Sequence, residues 1–205
     1  MEQNPFFLSD LRFDPPKFFE YLLVVHPNEE TFNQLREEKE NFSSEYNVSI
    51  AKKTLPHITV ANFLAKETME ETLIKWMHKI IGNQQSFDVM INNFSGFPSS
   101  KTVYARIQNH EPFKQLATSL KTLNAYINDN GFPNAKLINH PHMTIARSLQ
   151  QNVYEKAIMD YSRKTFNASF KVDELILLRR VNQYDKCKQV SVFKLCEHGF
   201  VGLRD

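Results

Sequence analysis

Pro56-His57-Ile58-Thr59-Val60 returns later in the chain as Pro141-His142-Met143-Thr144-Ile145, 85 residues further on. Each run has the apolar content of a strand. Successive side chains on a strand alternate faces, so His57 shares a face with Thr59, and His142 with Thr144, while Ile58, Val60, Met143 and Ile145 point the other way. Two further short matches sit at nearly the same spacing. Ser86-Phe87-Asp88-Val89 matches Ser169-Phe170-Lys171-Val172, and Lys101-Thr102-Val103 matches Lys188-Gln189-Val190. Such spacing reads as an internal repeat.

Around these matches the pattern alternates. A β-rich apolar run covers 18–26, and a charged stretch with helical composition follows Pro27 to about Asn41. A strand over 56–64 precedes an amphipathic helix over 69–81, where Leu73, Trp76, Met77 and Ile80 recur at helical spacing. Strands at 86–94 and 101–107 flank a Gly96/Pro98/Ser99/Ser100 turn, which reads as a hairpin. Helical sequence at 112–127 leads to a strand at 142–147, a helix at 153–163 and strands at 170–178 and 189–195. The expected fold is α+β, a duplicated bilobal domain over 1–205. Its lobes, about 18–97 and 101–195, are related by a pseudo-twofold, with antiparallel sheets facing a central cleft and helices outside.

Composition narrows the chemistry. Only 5 of the 205 residues are Gly, and neither G-x-G-x-x-G nor G-x-x-x-x-G-K-[ST] occurs, so glycine-loop nucleotide binding is disfavoured. Lys+Arg 25 against Asp+Glu 23 leaves a charge of +2, which argues against neutralising a long nucleic-acid tract but permits one terminal phosphate. The first ten residues have no basic and apolar leader pattern, and no stretch approaches the ~18 apolar residues of a membrane span. Cys187 and Cys196, an odd number of residues apart in one expected strand, would face opposite ways, which disfavours a disulfide and fits a reducing, cytoplasmic setting.

If the two polar strand faces meet across the cleft, two imidazoles and two hydroxyls surround one small volume. Imidazole titrates near pH ~6.5, so one ring can act as base while the other acts as acid, and the threonine hydroxyls can donate to non-bridging phosphate oxygens. That is a phosphodiester site. Other features carry less. His140 forms H-x-H with His142 but has no further ligand pattern, so no metal is expected, and His26, His78, His110 and His198 have no partner pattern. The run Arg36-Glu37-Glu38-Lys39-Glu40 reads as a solvated helix face. Tyr104 and Phe63 are candidates for stacking a base, but in a chain with 17 Phe core packing is the default reading.

Taken with their order in the chain, P-H-I-T-V and P-H-M-T-I-A-R resemble the motifs of the two-histidine (2H) phosphoesterase superfamily, whose bacterial members include the LigT-like 2′-5′ RNA ligase-like proteins. The resemblance spans about 18–195. It implies a metal-free and cofactor-free enzyme opening 2′,3′-cyclic phosphodiester ends of RNA or nucleotides to 2′-phosphates. His57 would be the acid and His142 the base, in a pair nearly interchangeable by sequence, and Thr59 and Thr144 would bind the phosphate. Ala146-Arg147 is similar to the end of the LigT-like H-x-T-L-A-R motif, which makes Arg147 a candidate substrate contact. An ideal strand, however, would turn Arg147 away from His142. The expected partner is an RNA 3′ end or a small cyclic nucleotide, bound by a monomer. Alternatives are another small cyclic or 2′-5′ linked nucleotide as substrate, reverse ligation, or a module that binds an RNA end without turnover.

Overall fold

Nine strands and five helices alternate along the chain in the computed structural model, which describes residues 17–182 and 185–197. His198 lies outside them. In the first half these are β1 (Phe18–Val25), α1 (Glu29–Glu45), β2 (Ile58–Lys66), α2 (Glu70–Ile81) and β3 (Phe87–Phe97). The second half contains β4 (Thr102–Ile107), α3 (Glu111–Leu120), α4 (Leu123–Asp129), β5 (Lys136–Leu137), β6 (His142–Ala146), α5 (Gln151–Tyr161), β7 (Asn167–Val172), β8 (Glu174–Arg180) and β9 (Lys188–Lys194).

Local chemistry explains the boundaries. The Asn28 side chain caps α1 by accepting from Thr31 N–H, and Glu29 and Glu30 occupy the first turn, where the helix dipole favours negative charge. On α2 the buried stripe is Leu73, Met77 and Ile81. Trp76, expected on that stripe, is 42% exposed and leans on Tyr126. Both cysteines are free. No helix among the described residues is long and apolar enough to cross a membrane.

Two antiparallel sheets result, ordered β5-β2-β1-β8-β9 and β6-β4-β3-β7. Their half-exposed faces look into a central cleft and their buried faces are covered by helices, so the α+β bilobal architecture is present. The lobes do not divide at 97/101, however. β3 pairs with β4 and β7 in the second sheet, whereas β8 pairs with β1 in the first. The first half therefore lends β3 to the second sheet, and the second half lends β5, β8 and β9 to the first. The expected single strand over 170–178 is really two, in different sheets, with only Asp173 between β7 and β8.

This exchange also sorts the repeat. Phe87 pairs directly with Val172, and Val89 with Phe170, so the Ser-Phe-x-Val matches are neighbours in one sheet and not equivalent positions in two. Lys101 and Lys188 precede β4 and begin β9, strands with different places in their sheets. Of the three matches, the His-x-Thr pair follows the duplication, on β2 and β6, each paired with its half's first strand. Helices cross over too. α1 packs on β6 and β7, where Phe42 meets Tyr161 of α5, and α3 packs on β2, so one apolar core runs beneath both sheets.

Candidate active site

His57 immediately precedes β2 and His142 opens β6, strands of different sheets that touch each other. Both imidazoles are held the same way. His57 Nδ1 lies 2.7 Å from the Leu55 carbonyl oxygen, and His142 Nδ1 lies 2.7 Å from that of His140. A carbonyl only accepts, so Nδ1 carries the proton in each ring and the neutral form keeps its lone pair on Nε2. Sequence alone does not reveal these locks, which depend on the chain turning just before each strand.

Immediately after each threonine the strand is irregular. Thr59 pairs with Val24 and Ala61 with Leu23, leaving Val60 as an extra residue. Thr144 pairs with Tyr104 and Ala146 with Val103, leaving Ile145 extra. These are β-bulges at equivalent positions, and a one-residue bulge swaps the faces of everything after it. Asn62 and Arg147, at corresponding positions after the bulges, thereby return to the face that holds the histidines and threonines. Arg147 is exposed, and the alternation that would have turned it away does not survive Ile145.

Bulges free backbone carbonyls, and the two halves satisfy them differently. Val60 O accepts from Ile138 N–H at 2.8 Å. Thr144 O and Ile145 O accept from the Lys39 ammonium at 2.8 and 3.1 Å, and Thr54 Oγ1 lies 3.2 Å from the same Nζ. Lys39 is only 2% exposed, so the solvated-face reading of its helix fails here. Burial pulls its pKa down to about 8, with the charge of Arg147 adding to the effect. Helical position relative to the core is the signal that would have marked it, since Lys39 lies four residues after buried Leu35.

Electrostatics separate the two histidines. Burial lowers the His57 pKa to about 4; the Leu55 hydrogen bond opposes this, while His26, Lys39 and Arg147 repel the imidazolium. Burial also lowers that of His142, against the bond to His140, without a cation among the causes. His26 donates to Pro56 O at 3.0 Å, and its ring lies 6.3 Å from that of His57. Across the site, Arg180 holds the Glu20 carboxyl below its usual range, with help from the Asn62 hydrogen bond and the charge of Arg147. Arg147, from the second motif, thus acts on residues of the first half.

Both aromatic candidates are buried, in line with packing as the default reading. Phe63 is 4% exposed and stacks on Tyr21 in the core, so it has no face for a base. Tyr104, equally buried, lies against Phe97 with ring centroids 4.3 Å apart, and its hydroxyl is 3.3 Å from His140 Nε2. Phe97 is half-exposed and its ring is 5.0 Å from that of His142. It is the aromatic at the site that sequence reading missed, because only pairing places the end of β3 beside β4. Among the described residues, no three His, Cys, Asp or Glu side chains are grouped to hold a metal ion.

His-x-Thr occurs twice, each time at a bulged strand of its own antiparallel sheet, and the two strands touch, an arrangement that resembles the two-histidine phosphoesterase class. The family model for the 2′-5′ RNA ligase superfamily matches residues 24–183, and the chain belongs to that superfamily. A "Putative phosphoesterase" of Staphylococcus aureus (strain Newman) is 25% identical over 142 residues, 68% of this chain and 80% of that protein. The crystal structure of E. coli LigT complexed with 3′-AMP superposes with a TM-score of 0.63 at 17% identity, covering 87% of this chain and 98% of that one. TT0787 of Thermus thermophilus has a TM-score of 0.61 at 16% identity, covering 85% and 97%.

Proposed function

We propose that this protein is a metal-independent phosphodiesterase that opens the 2′,3′-cyclic phosphate of an RNA end or nucleotide to a 2′-phosphate, acting in the cytoplasm on RNA processing products. The observation that carries this reading is the duplicated lock, in which each imidazole is fixed through Nδ1 beside a bulge-borne threonine. Nucleotide-sized substrates accord with E. coli LigT, which has been crystallised with 3′-AMP, NADP+ and ATP.

In the reaction, Thr59 and Thr144 donate hydrogen bonds to non-bridging phosphate oxygens, and Arg147 adds positive charge. A water attacks phosphorus as neutral His142 takes one of its protons at Nε2. The P–O3′ bond breaks, and O3′ takes the proton from Nε2 of His57. The proton left on His142 and the one missing from His57 are exchanged with solvent before the next turnover. In the free protein His57 is neutral at pH 7, so the acid role requires its proton to arrive with the anionic phosphodiester, whose charge offsets that of Lys39 and Arg147. The reverse assignment, with His57 as base, needs no such uptake, and the low His57 pKa favours it as the second reading.

The test is incubation with a nucleoside 2′,3′-cyclic phosphate in EDTA, with the product resolved from the 3′ isomer by phosphorus NMR. Accumulation of the 2′-phosphate is expected. Binding without product would overturn the enzymatic reading in favour of an end-binding module, and turnover only of a 2′-5′ linkage or of a cyclic phosphate of ADP-ribose would replace the substrate.

A further inference from the structure

Lys39 is a buried cation whose three hydrogen-bond partners are all uncharged oxygens: two carbonyls and one hydroxyl. Burying an ammonium is costly, and its usual compensation is a carboxylate. Here the compensation is a matched set of acceptors, one for each of its three donors, which also leaves Lys39 no donor for substrate. It reaches from α1 of the first half to the Thr144 and Ile145 carbonyls, the two that flank the extra residue of the second bulge. The equivalent need at Val60 is met by a main-chain amide, which brings no charge and is insensitive to side-chain substitution.

We propose that Lys39 is the positioning residue of the second motif: by clamping the Thr144 and Ile145 carbonyls it fixes the bulge that presents Thr144 and Arg147 to the phosphate, while placing an unneutralised charge behind the cleft. The turnover part of this inference rests on the phosphodiesterase reading; the part concerning geometry and charge does not. The charged and titratable groups acting on His57 are His26 at the end of β1, Lys39 on α1 and Arg147 after β6. Removing Lys39 therefore relieves repulsion of the imidazolium and moves the His57 midpoint upward.

The experiment compares wild type, Lys39→Met and Lys39→Arg, with near-ultraviolet circular dichroism confirming the fold of each. One readout is steady-state hydrolysis of a nucleoside 2′,3′-cyclic phosphate; the other is NMR titration of the His57 ring, which needs no turnover. Lys39→Met is expected to lower kcat about tenfold or more, since a displaced binding group misaligns attack. Its His57 midpoint should rise by about half a unit or more. Lys39→Arg keeps the charge but cannot seat a planar fork at the same point, so kcat falls while the midpoint stays near wild type. A folded Lys39→Met with either readout unmoved overturns the proposal. If Lys39→Met does not fold, Lys39→Arg decides: reduced kcat supports the proposal and wild-type kcat overturns it. If the wild type turns over no phosphodiester, the functional reading fails separately. In that case, displaced Thr144 and Ile145 amide resonances with a raised His57 midpoint in Lys39→Met still support Lys39's positioning role, and unmoved ones overturn it.

Discussion

The two His-x-Thr segments have the same backbone and different electrical surroundings. Each has an imidazole tied through Nδ1 to the carbonyl two residues earlier, then a threonine, then an extra residue that swaps the faces of the strand. Beyond that point they diverge. Asn62 is spent on Glu20 at 2.7 Å, whereas its counterpart Arg147 is an exposed cation. A backbone amide completes the first bulge and a buried ammonium the second. Each ring has another histidine at similar distance, His26 for His57 and His140 for His142, but His142 is also flanked by Phe97 and Tyr104. In the proposed reaction the duplicated geometry would supply two proton carriers, and the unequal surroundings would give a substrate a direction between them.

That comparison breaks most directly at the histidines. His57→Ala and His142→Ala should each lower hydrolysis of a cyclic nucleotide in EDTA by about 10³-fold, as loss of either acid or base does; initial rates that fall for one and persist for the other would end the pairing. Next come the hydroxyls, where Thr59→Val and Thr144→Val should each cost about 10²-fold in kcat, with similar losses expected from similar placement. Divergence is sharpened by the residues beyond the bulges. Arg147→Ala should raise KM about tenfold by removing a charge-assisted contact, while Asn62→Ala should change it by less than about threefold; Michaelis curves for the two variants separate them.

The smallest effect is in pH. Burial lowers the His57 pKa to about 4, below the ordinary histidine value, so that ring is mostly neutral through pH 5 to 7, and in the acid role its proton must arrive with the anion. Phosphate binding at pH 6 should therefore take up protons, measured as a dependence of the calorimetric heat on buffer ionisation enthalpy. No uptake would favour His57 as the base.

The motif was legible because it is written in side-chain identity: two imidazoles and two hydroxyls at one spacing. The bulges were not, since Val60 and Ile145 are ordinary strand residues and no glycine marks the irregularity. That is why parity misplaced Arg147. Lys39 hid in a run of charges, where local composition says surface and only the packing of α1 on β6 says otherwise. The division into lobes went wrong for a related reason. Strand exchange is a long-range fact, and a single residue, Asp173, carries no sign that the chain changes sheets there. Phe63 and Tyr104 are aromatic in a chain with 17 Phe, and both are buried, as composition makes the default.

The pairing of Leu22 with Leu178 joins residues from nearly opposite ends of the described chain. Emerging from the ribosome, β1 and β2 pair with each other, but β1 keeps an open edge until β8 is made. The second sheet, whose strands all lie between Phe87 and Val172, is complete earlier. The sheet that begins the sequence is thus the last to close, and such non-local closure is slow and leaves an adhesive strand edge exposed during synthesis. A chain ending after Val172 would retain both His-x-Thr segments and every strand of the second sheet, yet leave the sheet bearing His57 without β8 and β9. In biosynthetic terms, the duplicated halves are units of ancestry and not units of assembly.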